Sequence, residues 1–149
     1  MKIEEEIKQK KFKNSLHKAI INIIYTGNWL NYQHTIFLKS YGVSPQQFNV
    51  LRILRGQFPS PASVNLIIDR MLDKTSNVSR LIDKLKFKEL VDRKECSSDR
   101  RQVDITITQK GLELLETIDL EMNKNELNFN TITAKEADDL NSLLDKIRG

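Results

Sequence analysis

The sequence predicts a mainly α (α+β) fold in which a single β-hairpin interrupts a succession of helices. Three observations lead there. Apolar residues recur at steps of three and four along most of the 149 residues, the spacing of one helix face. Capping residues and a helix-opening proline mark where those helices begin. The period changes to two in Val103-Asp104-Ile105-Thr106-Ile107-Thr108, where apolar and polar side chains alternate as in a half-buried strand.

Residues 3–39 read as one long helix with a frayed start, since Leu16, Ile20, Ile23, Ile24, Leu30 and Leu38 recur near helical spacing and Gly27 interrupts without ending it. At 1.5 Å per residue its helical part is roughly 40 Å long, so it overhangs a small domain and needs another surface over its apolar face. Tyr41-Gly42-Val43 is a break. Ser44-Pro45-Gln46-Gln47 then opens a helix: Ser44 caps it, Pro45 fits its first position and Gln47 completes a capping box. Phe48, Leu51, Ile53 and Leu54 are its buried side; Gly56, Pro59 and Pro61 close it. Ser63 caps a short helix bearing Val64, Ile67, Ile68 and Met71, and Asp73-Lys74-Thr75 is a turn.

A further helix is expected from about Thr75 to about Lys88, with Val78, Leu81, Ile82 and Leu85 turned to the core and Ser76, Asn77, Ser79, Arg80, Asp83, Lys84 and Lys86 turned outward. Leu90–Lys94 and Val103–Thr108 form the hairpin, with the polar stretch Glu95–Arg101 as its basic tip. Thr108-Gln109-Lys110-Gly111 starts another helix, with Leu112, Leu115, Ile118 and Met122 as its stripe, which stops near Asn128-Phe129-Asn130. Thr133-Ala134-Lys135-Glu136 is a second capping box and opens a last helix with Ala137, Leu140, Leu143, Leu144 and Ile147. The terminal helices carry more apolar surface than one chain of this size can hide, so a homodimer built from both chain ends is expected.

Composition narrows the function. The hydrophobic share of 39% and charged share of 30% are those of a globular chain. The longest apolar stretch is too short to span a bilayer, and MKIEEEIKQKKFK has no apolar signal core, so a cytoplasmic protein without a membrane is expected. One cysteine and two histidines leave no disulfide framework or structural zinc set, and no metal or cofactor is expected. His17 and His34 are 17 residues apart on the first helix and share no site within it. No glycine-rich phosphate loop or nucleophile–base set is present, so no enzyme is expected. Charge is polarised. Residues 1–69 hold nine bases and four acids, residues 70–101 ten and six, and residues 102–149 five and ten, which gives +5, +4 and −5 and sums to the net +4. A basic middle third suits a polyanion.

Helix, helix, short helix, helix and basic-tipped hairpin, in that order, make a winged helix-turn-helix with a β-hairpin wing, flanked by long N- and C-terminal dimerisation helices. The expected division is 1–40 for the N-terminal dimerisation helix, 41–110 for the winged helix-turn-helix and 111–149 for the C-terminal dimerisation helices. The helix that begins near Ser76 has the width of a B-DNA major groove, where an arginine can reach guanine bidentately. Arg100 or Arg101 at the hairpin tip can enter the neighbouring minor groove. Leu51 to Leu115 resembles the multiple-antibiotic-resistance regulator (MarR) family through TSNVSRLIDKLKFKELVDRK, SSDRRQVDITIT and QKGLELL, taken in that order and spacing.

The resemblance implies a two-fold dimer on double-stranded DNA at a pseudo-palindromic operator, usually as a repressor. It places Ser76, Asn77, Ser79, Arg80 and Lys84 on the recognition helix and Asp99 and Arg101 on the wing's Asp-x-Arg signature, with Arg100 at the middle position. It further implies a small-molecule effector in a cleft whose wall would include Trp29, Tyr32, Gln33, His34, Ile36 and Phe37. A cysteine sensor in this family matches the first helix, which here has none; Cys96 sits beside the wing. The chain departs from the pattern at Glu89, where the family often has glycine; a left-handed cap there costs a non-glycine residue about 1 kcal/mol. The alternative is a winged helix that binds a protein instead of DNA, for which the six acids of residues 70–101 leave room.

Overall fold

The structure, a computed structural model, describes residues 1–95, 103–125 and 131–149. The chain forms two compact units, Met1–Leu112 and Glu113–Gly149.

The helix expected over residues 3–39 is two helices, α1 (Ile3–Glu6) and α2 (Ser15–Lys39). The reason is local. Lys8 takes a left-handed φ of 54°, and the Asn14 side chain accepts the His17 backbone N–H, which starts a new helix. Lys8, Lys10, Lys11 and Lys13 crowd one short stretch, and like charges at helical spacing oppose a helix there. The α1 segment is tied to α2 by an ion pair of Glu4 with Lys18 and by the Tyr25 hydroxyl, which donates to Glu6 Oε2 at 2.5 Å; Ile3 is buried.

Helix α3 (Pro45–Gln57) opens as expected. Ser44 accepts the Gln47 N–H, Gln47 Oε1 accepts the Ser44 N–H, and Pro45 stands at the first position. Ser63 caps α4 (Val64–Arg70) through the Leu66 N–H. Helix α5 spans Val78–Phe87, three residues shorter at its start than periodicity suggests, because Asn77 is its cap. Strands β2 (Val91–Glu95) and β3 (Val103–Ile107) pair antiparallel, from Val91↔Ile107 to Glu95↔Val103. A two-residue strand, β1 (Ala62–Ser63), adds to the far edge of β3 with Ala62 opposite Ile105, giving the order β1-β3-β2. Two residues carry no period, so the sequence does not reveal β1.

The core of Met1–Leu112 lies where α3 packs on α2, α5 and β3, and α4 on α5. Val50, Leu51, Leu54, Ile67, Ile82, Leu85 and Ile105 are almost wholly removed from water there, which is the main force holding α5 in place. The alternation read in the sequence is present: Ile105 and Ile107 are buried on β3.

The junction after α5 carries a backbone signal. Glu89 has φ 62°, the left-handed conformation that glycine adopts freely, so the departure from glycine has not changed the turn. Lys110 sits against the Glu89 carboxylate at 2.9 Å, and its hydrogen bond and charge hold that carboxyl below the usual range. Since glycine adopts this backbone without steric cost, Glu89→Gly is expected to raise the melting temperature by a few degrees, read by calorimetry. An unchanged or lower Tm would mean that the Lys110 contact outweighs the strain.

Helix α6 spans Gln109–Asn125; the expected stop near Asn128-Phe129-Asn130 lies outside the described residues. Helix α7 (Ala134–Arg148) opens with the predicted capping box: Thr133 accepts the Glu136 N–H and the Glu136 carboxylate accepts the Thr133 N–H. Hydrogen bonds donated by the Thr133 N–H and then by the Thr133 hydroxyl lower the Glu136 carboxyl from its ordinary value. No residue of α7 is buried. No described helix is long and apolar enough to cross a membrane.

Candidate nucleic-acid interface

The candidate site is the outward side of α5 together with the turn that leads into it. Val78, Ile82 and Leu85 lock the inner side of the helix into the core. Spacing then leaves Ser79, Arg80, Asp83, Lys84 and Lys86 exposed on the other side. Leu81, read as core, is only half-buried and borders the exposed face.

Two of the predicted residues have a structural job as well. Asn77 Oδ1 accepts the Arg80 backbone N–H at 3.1 Å, so its carbonyl is committed to the cap and only its NH2 group is free to donate outward. Ser76 precedes the helix, is half-buried and has an enclosed hydroxyl oxygen, which takes it off the exposed face occupied by Ser79, Arg80 and Lys84.

The leading turn is built by Asp73. Its Oδ1 accepts the Thr75 hydroxyl at 2.6 Å and the Thr75 N–H at 2.9 Å, a side chain closing its own turn. Hydrogen bonds from the Thr75 hydroxyl and N–H lower the Asp73 carboxyl from its usual value. Asn49, on α3, accepts the Leu72 N–H at 2.9 Å and so pins the turn to the helix behind it. In front of the turn lies a depression of about 310 Å³ bordered by Gln46, Asp73, Thr75, Asn77, Arg80 and Lys84. Asn49 was not legible as a positioning residue, because its partner is 23 residues away in sequence.

The wing joins α5 at its base. Arg93 on β2 donates to Asp83 on α5 at 3.1 Å. Both side chains are exposed, so this pair orients more than it stabilises. Thr108 donates its hydroxyl to the Glu89 carbonyl at 2.8 Å and accepts the Gly111 N–H at 3.1 Å, tying the end of α5 to the start of α6. Gly111 permits this. A β-carbon there would lie 2.4 Å from the Leu90 carbonyl oxygen and 2.7 Å from Ile107 Cγ1. The predicted wing-tip residues Asp99, Arg100 and Arg101, and Cys96 beside them, lie outside the described residues.

The effector-wall residues are all on α2. Trp29, Tyr32 and Ile36 are exposed, and Gln33, His34 and Phe37 are half-buried. Among the described residues, no group of three His, Cys, Asp or Glu stands together to hold a metal.

This order of elements, with a capped α5 tied at its base to a two-stranded wing, is matched in known proteins. Residues 41–102 match the MarR family. Over those residues the chain is similar to MarR-family regulators. The members are transcriptional regulators, not enzymes. The HTH-type transcriptional regulator MhqR of Bacillus subtilis is 35% identical over 81 residues, which is 54% of this chain and 54% of that protein. The chain spans about half the length of the curated relatives it matches. A MarR transcription factor of Planctomyces limnophilus superposes with a TM-score of 0.70 at 26% identity, over 91% of this chain and 98% of that one. BpsR of Bordetella bronchiseptica, whose DNA binding 6-hydroxynicotinic acid regulates, has a TM-score of 0.61 at 23% identity over 84% of this chain and 99% of that one, a likeness of fold. The winged helix in this chain therefore has its core side and its base accounted for, with a cationic outward face between them.

Proposed function

We propose that this chain is a dimeric, sequence-specific DNA-binding regulator that represses by occupying a pseudo-palindromic operator and is released by a small-molecule effector. The observation that carries the reading is α5 itself: its apolar side is fixed in the core while Ser79, Arg80 and Lys84 stand clear of it beside a capped N-terminus. In this reading Arg80 and the Asn77 NH2 group contact base edges, and Lys84 meets phosphate. Asp99 orients the wing, Arg101 enters the minor groove and Arg100 meets phosphate. Ser76 borders the depression at the start of α5.

Dimerisation is supported by the helices outside residues 41–110. Leu16, Ile20, Ile24, Trp29, Tyr32 and Ile36 stand exposed on α2, and Leu140, Leu143 and Ile147 on α7. Helices of this length gain most of their stability from packing an apolar face, so a second copy of the chain is the natural cover. Residues 1–40 and 111–149 are then the dimerisation regions. A dimer seated on its operator represses by excluding polymerase from the same DNA. The effector part of the reading leans on the ligand-regulated BpsR, a protein of similar fold.

A gel shift on DNA upstream of the chain's own gene tests this. Arg101→Ala is expected to weaken binding tenfold or more with the dimer intact. Arg80→Ala is expected to relax preference at particular base pairs, whereas Lys84→Ala weakens all sequences alike and flattens the salt dependence by about one unit of log–log slope. No retention on heparin and no shift at low salt would instead assign the winged helix to a protein partner. A footprint unmoved by all three substitutions would remove α5 and the wing from the mechanism.

A further inference from the structure

We propose, resting on the dimeric DNA-binding reading, that Lys88 is a positioning residue. It fixes the C-terminal end of α5 to the corner between α2 and α3, and so sets the spacing at which a dimer reads its two half-sites. Lys88 is the C-cap of α5 and is half-buried. Its ammonium donates to the Gly42 carbonyl, 46 residues earlier, and to Gln47 Oε1 at 3.1 Å.

Both acceptors sit at helix ends. Gly42 belongs to the turn that ends α2: its φ is 69°, its N–H donates to the Lys39 carbonyl at 3.1 Å, and the Val43 N–H donates to the Leu38 carbonyl at 3.4 Å. A cation is favoured there, because the helix dipole is negative at this end. Gln47 belongs to the capping box that opens α3, where the same Oε1 accepts the Ser44 N–H at 3.1 Å, and it is 5% exposed. One ammonium therefore joins the turn after α2, the first turn of α3 and the end of α5.

The core does not fix α5 in this way. Val78, Ile82 and Leu85 hold the helix against its neighbours by apolar burial, which is non-directional and leaves room for small slides and tilts. Hydrogen bonds are directional. At the N-terminal end, the Asn49–Leu72 bond ties the turn before α5 to α3. Lys88 supplies a second point at the opposite end, and two points fix an axis. Helix α2 carries the exposed stripe of the proposed dimer surface, so the Lys88 tie passes the placement of each subunit on to its α5. The tolerance is small: one base pair between half-sites is about 3.4 Å and roughly 35° of turn.

The test compares the full 149-residue chain with Lys88→Met, which keeps the aliphatic stem and removes every donor. Lys86→Met is the control: it lowers the net charge equally, and the exposed Lys86 ammonium is in no described hydrogen bond or ion pair. Binding is measured to the selected operator and to the same duplex with one base pair added between the half-sites. The parent chain and Lys86→Met are expected to prefer the first by about tenfold or more, and Lys88→Met by about threefold or less. A merely structural loss weakens both duplexes alike and leaves the ratio where it was. A second arm contains no DNA. Residual dipolar couplings of the backbone N–H groups in α2, α3 and α5 are expected to fit one common orientation in the parent chain. In Lys88→Met those of α5 are expected to shrink relative to those of α2 and α3. A ratio retained in Lys88→Met, the same fall in Lys86→Met, or unchanged α5 couplings overturns the proposal. A parent chain that binds neither duplex defeats the DNA-binding reading instead, and the couplings then decide the role of Lys88 alone.

Discussion

Gly111→Ala is expected to destabilise the chain by about 3 kcal/mol, the upper end of what an extra methyl costs in a packed site. The added carbon would meet the Leu90 carbonyl oxygen at 2.4 Å and Ile107 Cγ1 at 2.7 Å. The first of these is backbone and cannot swing aside. Relief requires the first turn of α6 to shift, which strains the hydrogen bond from the Gly111 N–H to Thr108. Gly56→Ala is the control, since nothing lies within 4 Å of a β-carbon there; in a helix it is expected to be neutral or to stabilise by up to about 1 kcal/mol. Urea titrations of both variants check this through the midpoint at constant slope. Equal midpoints for Gly111→Ala and the parent chain would show that the junction has room which the geometry denies.

The second large effect concerns the uncovered stripes. Ile24→Glu combined with Leu143→Glu is expected to convert the dimer to monomers at micromolar concentration and to weaken operator binding at least a hundredfold, about 2.7 kcal/mol. Both side chains are 59% exposed in the single chain. The chain's own fold therefore tolerates glutamate at either position, whereas burial of an unpaired carboxylate between two chains does not. Sedimentation equilibrium gives the mass, and circular dichroism confirms that helix content is retained. Monomers in the parent chain, or a dimer that survives both glutamates, would refute the interface.

Much of this arrangement was legible because it rests on local chemistry. Ser44-Pro45-Gln46-Gln47 and Thr133-Ala134-Lys135-Glu136 each state a helix start in four residues, and both capping boxes form. The alternation in Val103–Ile107 places Ile105 and Ile107 inward. At Glu89 the departure from glycine put the local turn geometry in doubt, yet the left-handed backbone is present. What escaped depends on competition or distance. Thr75, Ser76 and Asn77 are all plausible caps, and only the fold selects Asn77. The start of α2 required Asn14 to prevail over a helical pattern that runs on both sides of it. The two residues of β1 form a strand because β3 lies beside them. Within the site, Ser79, Arg80 and Lys84 followed from helical spacing, whereas the Asn49–Leu72 and Arg93–Asp83 contacts join segments that no local pattern links.

Selection of duplexes from a random pool by the full chain tests DNA recognition by a two-fold dimer most directly, because it reads binding, symmetry and spacing together. The expected result is enrichment of a pseudo-palindrome whose half-sites are centred about one helical turn, roughly 10 base pairs, apart, with enrichment lost in Arg80→Ala. A pool that remains unenriched at low salt, or that yields a single half-site without its two-fold mate, would contradict the proposed function.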